Sequence, residues 1–168
     1  VKKNPNFGLR IFFSGSIVEE GYNNFVWPKE PDKFPNRIKV INRIIKEFKN
    51  EIFLINSKKD LQSSEIFKKK IILCLHDKMI KKTSYTLNFK ENLDLLSNSC
   101  FNLSCPGVVM PLCHHLIEGI KVGSIPITNC EKLLSPYLTE EISLQYSSMN
   151  QLIEKFHEAL LMKNDEVL

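Results

Sequence analysis

Residues 105–128, CPGVVMPLCHHLIEGIKVGSIPIT, constrain the chain most, because they compress a strand end, a turn, a helix and a second strand into one short run. Across residues 111–121, His114, His115, Glu118 and Lys121 fall on one stripe of a 3.6-residue period, while Leu112, Cys113, Leu116, Ile117 and Ile120 occupy the rest. The spacing predicts a helix buried on most sides with its polar stripe exposed. The unpaired N–H groups of its first turn, together with the helix dipole, favour an anion such as a phosphate. Gly107 lets a ligand approach the backbone closely, Pro111 suits a first helical turn, and Gly123 suits the stop before Ile125, Pro126 and Ile127. A ligand-binding strand–helix–strand unit is therefore expected.

The rest of the chain repeats that alternation. Residues 9–13 form an apolar run ending in Ser14, Gly15 and Ser16, which read as a strand and its turn. Residues 35–49 carry Ile41, Ile44, Ile45 and Phe48 at helical spacing. Further strands are predicted over 52–55, 71–75, 100–105, 124–128 and 142–146, with a helical turn within 63–69. Asn88 and Glu91 read as a capping box opening a helix through about residue 96, and Ser148 with Gln151 caps a last helix through Met149, Leu152, Ile153, Phe156 and Leu160. Such alternation predicts an α/β fold: a Rossmann-like, mostly parallel sheet with helices on both faces, binding ligands at the strands' carboxyl ends. Residues 17–34, polar and aromatic without periodicity, form an unusually long connection of the kind that often carries function.

At 168 residues the chain is expected to be a single domain, residues 1–168, with enough apolar content for a core. No apolar run long enough to span a membrane appears, and residues 1–6 lack the apolar stretch of a secretory signal. The net charge of +4 arises from 20 Lys and 3 Arg against 19 acids, a diffuse excess that does not call for a nucleic-acid partner. Five cysteines without a CxxC pair, three of them (Cys74, Cys100, Cys105) in apolar strand-like runs, read as reduced core thiols and favour a cytoplasmic location. The sequon at Asn102 lies in a predicted buried strand and is read as coincidental.

Familiar catalytic signatures are missing: there is no GxxxxGK[ST], GxGxxG or HExxH. Cys105, before a helix N-terminus, is a candidate nucleophile or a plain core thiol. A zinc site from Cys105, Cys113, His114 and His115 is disfavoured, because adjacent helical residues diverge by about 100°. His114 and Glu118, one turn apart, either form an exposed surface pair or present a carboxylate to a diol such as a ribose.

The residues then carry a resemblance. Ser99–Leu103, the Pro106–Gly107 pair and the run from Glu118 to Ile127 (EGIKVGSIPI) resemble the nucleotide-sugar-binding half of GT-B-fold glycosyltransferases, particularly exostosin-like and related bacterial sugar transferases. Pro136, Tyr137 and Leu138, and the strand and helix over 142–160, fit the family's ending. The resemblance implies a nucleotide diphosphate sugar as donor substrate and a glycan or lipid-linked acceptor, with no cofactor and no required metal. It also implies a donor diphosphate over Gly107, Val108 and Val109, with His114 and Arg10 adding polarity or charge, and Lys78 a further candidate cation. Glu118 would hold the donor ribose, and Ser14, Gly15, Ser16 and Met110 would lie near the transferred sugar. His76 and Asp77 are candidates for the pocket edge. Two departures matter: Met110 stands where many such enzymes carry a first glutamate, separated from the second by seven intervening residues, and the N-terminal acceptor domain that usually supplies a catalytic base is not expected within this chain. No catalytic residue is assignable, and peripheral membrane association stays open. The rival expectation is a non-catalytic α/β ligand-binding or interaction module.

Overall fold

A computed structural model describes residues 9–18, 36–76, 85–107, 113–129, 139 and 141–163. Six strands form one sheet: β1 (Leu9–Ser16), β2 (Ile52–Leu54), β3 (Ile71–His76), β4 (Ser99–Ser104), β5 (Ile125–Thr128) and β6 (Leu144–Gln145). Their spatial order is β2-β3-β1-β4-β5-β6, and every pairing is parallel, as in a Rossmann-like fold. The central strands are apolar runs because both of their faces are covered. Ile11, Phe13, Ile71, Leu73, Phe101 and Leu103 pack on one face, while Phe12, Ile72 and Cys74 pack on the other.

The helices are α1 (Arg37–Glu47), the short α2 (Lys58–Leu61), α3 (Phe89–Ser97), α4 (His114–Val122) and α5 (Met149–Leu161), with a 3₁₀ turn at Ser64–Lys68. Local chemistry sets most of their ends. The Asn36 side chain accepts from Lys39 N–H at 2.9 Å to open α1. Asn88 and Glu91 form the full reciprocal capping box of α3, with both bonds at 2.9 Å. Ser148 accepts from Gln151 N–H at 3.2 Å to open α5. Gly123 closes α4 at φ 83°, where Gly123 N–H reaches Ile120 O at 3.0 Å and Ser124 N–H reaches Gly119 O at 2.8 Å. That pair of bonds is a Schellman stop and needs a residue without a Cβ.

Helices α1 and α5 bury Val40, Ile41, Ile44, Phe156 and Ala159 on one face; α3 and the 3₁₀ turn bury Leu95, Leu96 and Ile66 on the other. The step from β1 out to β2 uses the first face, and the steps back to β3 and across to β4 use the second. Opposite directions on opposite faces give all these crossovers the same hand. Connections therefore leave β1 and β4, which are neighbours, in opposite directions, which makes their carboxyl ends the switch point at which sheets of this kind form a ligand-binding crevice.

Three expectations change. Ser14, Gly15 and Ser16 are not a turn but the last residues of β1, paired with Cys74, Leu75 and His76 of β3. Parallel pairing gives their backbone groups partners that a turn would leave open. Helix α4 starts at His114 with Cys113 as its cap, later than the expected start at Pro111, which lies outside the described residues. β2 and β6 are shorter than expected, at three and two residues. No helix among the described residues is long and apolar enough to cross a membrane. Residues 19–34 of the long connection lie outside the described residues.

Candidate functional site at the carboxyl edge of the sheet

Parallel strands connected by helices direct every long helix of the fold to begin at the carboxyl edge, so their positive dipole ends gather there. Arg37, the first residue of α1, lies across the crevice between β1 and β4. Its guanidinium donates to Ser16 O of β1 at 3.3 Å and to Cys105 O just beyond β4 at 3.1 Å. It also sits 5.6 Å from the centre of the Phe13 ring. Gly15 is explained by this arrangement: a Cβ there would lie 2.9 Å from Phe13 Cζ and 3.0 Å from Arg37 Nη1. Beside it, Ser14 Oγ and His76 Nε2 share a hydrogen bond of 3.0 Å.

The fork of Arg37 spans two carbonyls on neighbouring strands, and a lysine ammonium on a flexible stem would not reproduce that geometry. Charged hydrogen bonds of this kind contribute about 1.5–3 kcal/mol each. Arg37→Lys is expected to cost roughly 2 kcal/mol, read as a lower urea midpoint with an unchanged denaturant slope.

On the other side of the crevice, the first turns of α3 and α4 share a polar network. His115 is only 8% exposed, with its ring centre 5.4 Å from Phe12 and 5.9 Å from Phe13. Its Nε2 pairs with Asn92 Oδ1 at 3.1 Å, while Asn92 Nδ2 donates to Glu118 Oε2 at 3.0 Å. Burial, reinforced by the nearby charges of Arg37 and His76, lowers the His115 pKa from 6.5 to about 3, so the ring is neutral. Beneath it, Asn102 of β4 is fully buried and donates to Ser104 Oγ at 2.8 Å and to His115 O at 3.1 Å. The sequon asparagine is thus closed off from solvent.

The expected exposed stripe of α4 is corrected accordingly. His114, Ile117, Ile120 and Lys121 face outward, Glu118 is half-buried, and His115, Leu116 and Gly119 face the sheet. The wheel of apolar and polar types was ambiguous here, and the physical selector is size. A helix lying directly on Asn102 needs its smallest residue at the contact, and Gly119 supplies it. A mid-helix glycine, which costs about 1 kcal/mol against alanine, was the available signal.

Among the expected site residues, Ser14, Gly15, Ser16, His76, His114 and Glu118 lie on elements that meet this edge, and Gly107 follows three residues after the end of β4. Arg10 does not join them. It stands at the amino end of β1, where its Nη1 contacts Cys100 Sγ at 3.6 Å. Six residues of strand, about 20 Å, separate it from Ser16. Arg37 is the cation that reasoning from sequence missed; nothing local distinguishes it, since only tertiary packing brings it across two strands. Val108, Val109 and Met110, together with Asp77 and Lys78, lie outside the described residues.

Cysteine chemistry finds little support in the geometry. Cys74, Cys100 and Cys105 are buried, and burial raises the pKa of Cys113 and pushes that of Cys74 up to about 11. A thiolate nucleophile needs the opposite shift. Among the described residues, no three His, Cys, Asp or Glu side chains come together as a metal site. The adjacent histidines diverge, His114 outward and His115 inward. The chain matches no protein-family model and no curated protein.

Proposed function

We propose that this chain is the donor-binding domain of a GT-B-type glycosyltransferase, taking a nucleotide diphosphate sugar in the crevice between β1 and β4 for transfer to a glycan or lipid-linked acceptor. The observation that carries this reading is Glu118, whose carboxylate is anchored through one oxygen by Asn92 about one turn into α4 and α3 from the carboxyl edge. Its other oxygen would accept from a diol such as a ribose. The diphosphate would lie against the start of α4, near His114 and Gly107, with the Arg37 charge at the switch point beside it. Oriented N–H dipoles and a fixed cation stabilise a departing nucleoside diphosphate without a proton transfer. The acceptor's base would come from outside this domain.

The interaction-module reading draws on a different observation: Ile117 and Ile120, flanking Glu118 on α4, are 45% and 44% exposed. Glu118→Ala separates the two. A donor domain loses at least tenfold in affinity for its nucleoside diphosphate, because one charged hydrogen-bond set is worth about 1.5–3 kcal/mol. An interaction module shows no nucleotide affinity to lose.

A further inference from the structure

Glu118, Asn92 and His115 form a chain of hydrogen bonds whose polarity is determined from one end. A carboxylate only accepts, so the Asn92 amide must turn Nδ2 toward Glu118 Oε2, 3.0 Å away. That turns Oδ1 toward His115 Nε2, 3.1 Å away, and an acceptor there requires the imidazole to carry its proton on Nε2. The far nitrogen, Nδ1, is then a lone-pair acceptor, buried and without a hydrogen-bond partner among the described residues. Either tautomer would leave Nδ1 unsatisfied, as donor or as acceptor, so among the described residues nothing at that side of the ring decides between them. The decision comes from the Glu118 side.

We propose that Asn92 is a positioning residue that couples the Glu118 carboxylate to His115, holding the carboxylate for ligand and fixing the His115 tautomer with Nε2 protonated. Its role for a ligand rests on the donor-site reading above, whereas the coupling itself is a property of the ligand-free protein. No other side chain bridges α3 to α4 at this point among the described residues, and Asn92 spends its carbonyl on His115 and an amide hydrogen on Glu118. Loss of the carboxylate frees the amide to flip, so that Nδ2 donates to Nε2 and the ring proton moves to Nδ1. Loss of Asn92 releases both ends.

The test is long-range ¹H–¹⁵N correlation on ¹⁵N-labelled full chain at pH 7 without ligand, with the His115 signals assigned by comparison with His115→Phe. The wild type is expected to show one neutral tautomer, protonated at Nε2. Glu118→Ala is expected to show a mixture with a substantial Nδ1-protonated share while its urea midpoint stays close to wild type. A wild type protonated at Nδ1, or a tautomer unchanged by Glu118→Ala, overturns the coupling. The ligand role is read separately by titrating the nucleoside diphosphate into Asn92→Ala: a drop of severalfold, smaller than for Glu118→Ala and not multiplied in the double variant, is expected. Multiplicative losses overturn positioning through Glu118, whereas a wild type that binds no nucleotide but shows the tautomer switch keeps the coupling and rejects the donor-site reading.

Discussion

Gly119→Ala is expected to destabilise the protein by about 1–2 kcal/mol, although alanine is the better helix former by roughly 1 kcal/mol. The added Cβ would stand 2.5 Å from Asn102 Oδ1 and 2.6 Å from Asn102 Cγ. A clash with the tip of a mobile side chain would be relieved cheaply. Asn102 is not mobile: it is fully buried in β4 and held by its bonds to Ser104 and to His115 O. Moving it breaks those bonds in a dry interior, at about 1–3 kcal/mol. Keeping it instead lifts α4 off the sheet and costs overpacking of about 1–3 kcal/mol. Either route outweighs the propensity gain. For a chain of this size the melting temperature should fall by roughly 2–8 °C, and Asn102→Ala in the same chain should recover part of it, because the two side chains occupy one space. A melting temperature at or above wild type would mean that α4 does not rest on Asn102.

The second large effect is acid sensitivity from one residue. His115 has its pKa lowered to about 3 in the folded protein against 6.5 unfolded, first by burial and then by the charges of Arg37 and His76. The unfolded chain thus binds the proton more readily, so the stability that depends on a neutral ring is complete above pH 6.5 and is lost as pH falls toward 3. At 1.36 kcal/mol per pK unit, this one group should remove about 2 kcal/mol between pH 6.5 and 4.5. That window is useful because Glu91 and Asp60, whose carboxyls are held below their ordinary values by backbone and side-chain donors, titrate beneath it. Urea unfolding of wild type and His115→Phe across the window is the check. The wild-type midpoint should slope and the variant, whose ring lies in the same slot beside Phe12 and Phe13, should be nearly flat. Parallel slopes would show that His115 is not the proton-linked group.

What could be read from sequence alone was what local chemistry determines. All six strands and the main helices were legible because caps and stops are short-range: Asn88 with Glu91, Ser148 with Gln151, and Gly123 each settle an end within a few residues. The direction of α4's faces was not, since five apolar side chains competed for a narrow contact and Asn102, a polar residue on a distant strand, decided it. Arg37 was illegible for the same reason. Arg10 stands apart for a different reason: a parallel sheet binds at its carboxyl edge, and Arg10 lies near the amino end of its strand. Asn92 gave no signal at all; its importance comes from α3 lying alongside α4.

The central claim is that the crevice between β1 and β4 is a nucleotide site, and calorimetric titration of the chain with UDP, GDP, ADP and CMP tests it most directly. The account predicts that one diphosphate binds selectively, that Glu118→Ala weakens it tenfold or more, and that Arg10→Ala, at the opposite edge of the sheet, leaves it unchanged. No binding by any of the four, or binding indifferent to Glu118, would contradict it.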